Sequence, residues 1–120
     1  MKKFSLFIAS FLVVVLLLFQ LIDSLAGPAE ATFRNAPSIF CEQTRFIGIT
    51  LPPFGIYLCS EAEGSESTRA HELVHWDQYE SQGFLMFYVS YGIGYIKSDF
   101  VYEDHPMEID ARQREAQFMR

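Results

Sequence analysis

Basic residues are scarce in this chain. Nine lysines and arginines stand against 15 aspartates and glutamates in 120 residues, and from residue 28 onward the balance is 7 against 14. A surface so acidic argues against nucleic acid or anionic lipid as a general partner. Cysteine is nearly absent as well: Cys41 and Cys59 are the only two, 18 residues apart. Neither lies near enough to the histidine-rich segment to demand a metal role. In an oxidising compartment the pair would bridge, closing a loop worth roughly 3 kcal/mol in the chain-entropy model. Length sets a further limit. About 93 residues follow the N-terminal apolar run, enough for one small domain and no second.

Of the three histidines, two fall within the five residues His71-Glu72-Leu73-Val74-His75. On a helix, positions i and i+4 share a face, and imidazole is a preferred zinc donor. Glu72, beside the first ligand, can reach a water at the open coordination position and act as its general base. A random chain of this length would contain H-E-x-x-H with a probability of roughly a few per thousand. The preceding Ser65-Glu66-Ser67-Thr68 has the pattern of a capped, acidic helix start, so the spacing predicts a helix from about Glu66 to Ser81 ending at Gly83. Charged residues on both sides of the motif, including Asp77 and Glu80, exclude an intramembrane site.

A catalytic zinc needs a third protein ligand. The pattern H-E-x-x-H-x-x-G-x-x-H would require Gly at 78 and His at 81; Gln78 and Ser81 stand there. A glutamate from a second helix is the other option, and Glu108 lies 33 residues beyond His75. Pro106 suits a first helical position, which puts Glu108 in the first turn. His105 has three readings: a rival ligand, a hydrogen-bond donor to a developing oxyanion, or a plain N-cap. It is carried as a candidate catalytic residue beside Glu72. Asp99, Glu103 and Asp104 read as a solvated acidic loop.

With H-E-x-x-H followed by Glu108-Ile109-Asp110-Ala111, the chain resembles small gluzincin-type metallopeptidases, the minigluzincins, over roughly residues 45 to 118. The resemblance implies zinc held by His71, His75 and Glu108, with Glu72 as general base in the hydrolysis of a peptide bond in a peptide or protein substrate. Family members commonly continue E-x-x-A with an aspartate. Arg112 occupies that position here, which passes any supporting carboxylate role to Asp77 or Asp110.

After Lys2-Lys3, the stretch Phe4 to Ile22 has 19 residues without a charge, about 28 Å as a helix and close to the thickness of a bilayer's hydrocarbon core. Ser24-Leu25-Ala26 or Ala29-Glu30-Ala31 could serve as a cleavage site, but a signal peptide's apolar region is shorter, and the length favours an uncleaved anchor over residues 1–26. The basic flank keeps the N-terminus in the cytoplasm and sends the domain to the periplasmic or extracellular side. Residues 27–44 read as a tether. Two apolar runs around Pro52-Pro53-Phe54-Gly55 predict a β-hairpin whose edge could hold an extended peptide. The polar stretch 61–69 reads as a loop. Phe84 to Ile96, apolar on all sides, predicts a core helix, with an interfacial surface as the alternative, and Gly92 and Gly94 allow a bend. The expected fold class is α+β: a membrane helix, then a small zincin-like domain over 45–120. The competing function is a membrane-anchored zinc-binding protein without catalysis, acting in assembly or interaction.

Overall fold

Local signals set most of the elements. Ser65 caps the metal-motif helix by accepting from the Thr68 amide at 3.2 Å, Pro106 opens the last helix, and Gly83, at φ +87, closes one helix and starts the next without an intervening loop. A positive φ is a conformation glycine adopts at no steric cost. The computed structural model describes residues 2–44, 46–60 and 65–119. In chain order these form α1 (Lys2–Ala26), β1 (Phe33–Asn35), α2 (Ser38–Gln43), β2 (Gly48–Leu51), β3 (Gly55–Leu58), α3 (Glu66–Gln82), α4 (Phe84–Lys97) and α5 (Pro106–Arg114), with 3-10 turns at Tyr102–Asp104 and Glu115–Phe118. The fold is α+β, as the sequence predicts. Residues 61–64 of the polar stretch, and Arg45 at the start of the expected domain, lie outside the described residues, while residues 66–69, expected as loop, form the first turn of α3.

The hairpin forms with the register Gly48↔Leu58 and Leu51↔Gly55. The sheet holds one strand more than expected, because β1 pairs in parallel with β3, Phe33 opposite Ile56, giving the order β1-β3-β2. Residues 27–44 are therefore not a free tether. Besides β1 they supply α2, whose Cys41 is bridged to Cys59 at the end of β3. Trp76 Nε1 donates to the Ala29 carbonyl at 3.0 Å, and the Ala29 amide donates to the Tyr79 hydroxyl at 3.1 Å.

One face of the sheet packs on α3. Ile56 and Leu58 meet Trp76, Tyr79, Phe84, Phe87 and Met107 in the core, each contributing about 1.5–3 kcal/mol by leaving water. The Thr50 hydroxyl donates to the Glu72 carbonyl at 3.1 Å, tying β2 to the middle of α3. Helix α4 runs unbroken through Gly92 and Gly94. Gly94 serves a close approach: a Cβ there would overlap the His105 ring. Nor is α4 buried on all sides, since Met86, Val89, Ile93 and Ile96 are exposed.

One helix among the described residues, α1, is long and apolar enough to cross a membrane. Its last turns touch the domain. The Phe19 ring packs between Phe54 and Phe84, with centroids 5.9 and 5.3 Å away.

Candidate metal centre

Helix α3 presents His71 and His75 one turn apart, and α5 crosses it with Glu108 in its first turn. One ligand atom from each lies within 4.8 Å of the other two. His71 Nε2 is 2.9 Å and His75 Nε2 3.1 Å from the same Glu108 oxygen, Oε1. All three sequence-predicted ligands therefore meet. Two imidazoles and a carboxylate form a donor set suited to a divalent metal with an open position.

The surroundings of the two rings explain why a cation fits. Gln78 Nε2 donates to the Met107 carbonyl at 3.0 Å and to Asp110 Oδ2 at 2.9 Å, so its amide oxygen is the atom that faces His75 Nδ1 at 2.8 Å. That assigns the proton to Nδ1. Nε2 then points a lone pair at a carboxylate oxygen unless a positive charge, proton or metal, lies between them. His71 is in the same position, with Nδ1 3.1 Å from Glu115 Oε2 and Nε2 toward Glu108. Burial alone would lower both histidine pKa values; the Glu108 hydrogen bonds and the Glu72 charge win and raise them. Burial would likewise raise that of Glu108, but the hydrogen bonds from His71, His75 and Tyr91 hold it well below the usual carboxylate range. The pocket is built for an ionised Glu108 and concentrated positive charge beside it.

Glu72 is buried next to this cluster. Its Oε2 is the one buried side-chain polar atom without a hydrogen-bond partner among the described residues. An unpartnered buried oxygen costs about 1–3 kcal/mol, and burial, outweighing the histidine charges, pushes the Glu72 carboxyl up. This is the environment that tunes a carboxylate for proton transfer.

His105 does not take part. Its ring is fully buried, with Nδ1 accepting from the Met107 amide at 3.1 Å and Nε2 donating to the Tyr91 carbonyl at 2.7 Å. With both nitrogens engaged by backbone, it can neither ligate nor donate to an oxyanion. The catalytic role expected of it is corrected to that of an N-cap which also joins α5 to α4. Asp77 and Asp110 make no direct bond to a ligand, but Asp110 Oδ2 accepts at 2.9 Å from Gln78, which holds His75, and Arg114 bridges the two aspartates, at 2.8 Å from an oxygen of each.

Four residues not singled out by the motifs complete the site. Gln78 and Glu115 orient the two rings. The Tyr102 hydroxyl donates to Glu108 Oε1 at 2.7 Å, and that of Tyr91 donates to Oε2. Burial, followed by the bond to Glu108, pushes both tyrosines above their usual range, so they stay neutral donors. Gln78, three residues after His75 on the same helix, and Glu115, two turns after Glu108, carry a helical-spacing signal. The tyrosines come from α4 and a 3-10 turn and carry none.

A cavity of about 300 Å³ opens beside the cluster, between β2 and α4, with Ile49, Leu51, Phe87, Tyr88 and Tyr95 among its walls. On the other side of Glu72 an open groove runs past Ser67, Thr68, Glu103 and Arg112. Among the described residues, β2 pairs with β3 alone, leaving a free strand edge along the cavity. Comparison with known protein families, curated proteins and solved structures finds no match to this chain.

Proposed function

We propose that this protein is a membrane-anchored zinc metallopeptidase of the small gluzincin type. The observation that carries the reading is the buried, unpartnered Glu72 Oε2 beside His71, His75 and Glu108. A site serving only to bind a structural metal has no use for a costly free carboxylate and usually closes with four protein ligands. His71, His75 and Glu108 would hold the zinc, which would supply Lewis acidity toward a carbonyl and a bound water.

The chain's own residues do the rest. Glu72 takes a proton from the attacking water and passes it to the leaving amine. Glu115 and Gln78 hold the two imidazoles with Nδ1 protonated, keeping each Nε2 turned to the shared centre. Tyr91 and Tyr102 steady Glu108 by donating to its two oxygens. The free edge of β2 offers main-chain hydrogen bonds to an extended peptide, and the aromatic cavity accepts an apolar side chain. The Cys41–Cys59 bridge supports a domain outside the cytoplasm, consistent with Lys2-Lys3 holding the N-terminus inside.

The test is cleavage of a mixed peptide library by the zinc-loaded full chain in detergent, read by mass spectrometry. Glu72→Gln should keep its zinc and lose activity by about 10²–10⁴-fold. Full activity in that variant would show that Glu72 is not the base. A zinc-loaded wild type that cleaves nothing would leave the reading of a zinc-binding protein without catalysis.

A further inference from the structure

Helix α1 is joined to the domain by specific bonds at the level where its apolar run ends. Gln20 Oε1 accepts from the Leu85 amide at 2.9 Å, and Asp23 Oδ2 accepts from the Phe84 amide at 3.4 Å. Asp23 Oδ1 accepts from the Tyr79 hydroxyl at 2.6 Å. Residues 20 and 23 thus supply acceptors to the first amides of α4, which has no side-chain cap of its own. The membrane helix completes the N-terminus of α4, and the Phe19–Phe84 contact places that end of α4 beside the last turn of the apolar run.

From there α4 leaves an unusual face open. Met86, Val89, Ile93 and Ile96, with Phe100 just beyond the helix, are exposed by 50, 39, 45, 66 and 75 per cent. The four helical residues, three and four apart, fall on one stripe, opposite the buried Phe84, Phe87 and Gly94. A stripe on the outer surface of a water-exposed domain would be polar.

We infer that α1 is retained in the mature protein and that the outer face of α4 lies in the lipid interface beside it, so that the domain is seated on the bilayer by two helices. The argument is continuity: the stripe begins at the residues that α1 itself touches as it leaves the apolar core. An acidic domain surface suits zwitterionic lipid. The inner side of α4 lines the cavity, so seating α4 puts the metal centre within about one helix diameter, ~10 Å, of lipid. The seating itself does not depend on whether the site binds metal or cleaves peptides.

The full chain, reconstituted into phosphatidylcholine vesicles, tests this with a fluorophore on single cysteines introduced by Val89→Cys, Ile93→Cys or Ile96→Cys, and by Glu80→Cys as a surface reference. The native disulfide leaves no competing thiol, and its persistence in each variant checks the fold. Labels at 89, 93 and 96 should lose most of their emission to a lipid-borne nitroxide and little to aqueous iodide, with the reverse at 80. Iodide quenching at 89, 93 and 96 equal to that at 80 would overturn the proposal. Protection from both quenchers that vanishes on dilution with lipid would assign the face to a second copy and also overturn it. So would recovery of the protein from its native membranes without residues 1–26.

Discussion

Among the described residues, a partly buried polar cluster at the α1 junction and a more buried one between α3 and α5 are built on opposite rules. At the junction of α1, α3 and α4, Tyr79, Asp23, Gln20 and the Ala29, Phe84 and Leu85 amides are paired in a closed set of hydrogen bonds. At the centre between α3 and α5, two imidazole nitrogens converge on one carboxylate oxygen, and Glu72 Oε2 has no partner. The first arrangement is satisfied and therefore structural. The second is incomplete in a way that a cation and a water would complete, which is the arrangement the proposed chemistry requires.

The contrast is broken most severely at Glu72, where the amide of Glu72→Gln should remove turnover and leave the metal. Next in size is Gln78→Leu, which frees the His75 ring without touching the metal's own donors. Zinc affinity should fall by about 10–100-fold, measured by competition with a chromophoric chelator; an unchanged affinity would mean that Gln78 does not orient His75. At the junction, Tyr79→Phe leaves the Ala29 amide and Asp23 Oδ1 without their partner. It should cost about 1–3 kcal/mol of stability in denaturant unfolding while zinc affinity stays as in the wild type. A loss of zinc affinity there would show that the two clusters are not separate.

The smallest effect is a pH dependence of the same junction. Burial, and then the bond to Asp23, pushes the Tyr79 hydroxyl up to about 12. A raised acid of this kind contributes stability that is fully present below its ordinary pKa of about 10 and is lost as pH rises toward 12. Unfolding midpoints should therefore fall over that window, and the fall should be shallower in Tyr79→Phe.

How much of this was legible in the sequence follows from how local each signal is. The α3 boundaries, the hairpin, α1 and the placing of Glu108 behind Pro106 rest on caps, turns and periodicity within a few residues, and each is where the sequence puts it. Strand β1 is three residues long with an exposed pattern and exists because it pairs in parallel with β3, more than twenty residues away; no local pattern announces that. His105 carries a local signal, Pro106, for its capping role. What decides against catalysis is the Tyr91 carbonyl at the other ring nitrogen, a contact that requires α4 to lie across it at Gly94. The convergence of Tyr91 and Tyr102 on Glu108 is non-local in the same way. For α4, an all-apolar composition reads as burial on every side, yet among the described residues Met86, Val89, Ile93 and Ile96 stay exposed, a tertiary outcome that composition does not carry.

The most direct measurement is the zinc content of the purified full chain in detergent, by elemental analysis after incubation with zinc and removal of the excess, for the wild type and Glu108→Ala. One zinc per wild-type chain and a marked loss in Glu108→Ala is the result expected if His71, His75 and Glu108 are gathered around a cation. A folded wild type with its disulfide intact and no stoichiometric zinc would contradict that account.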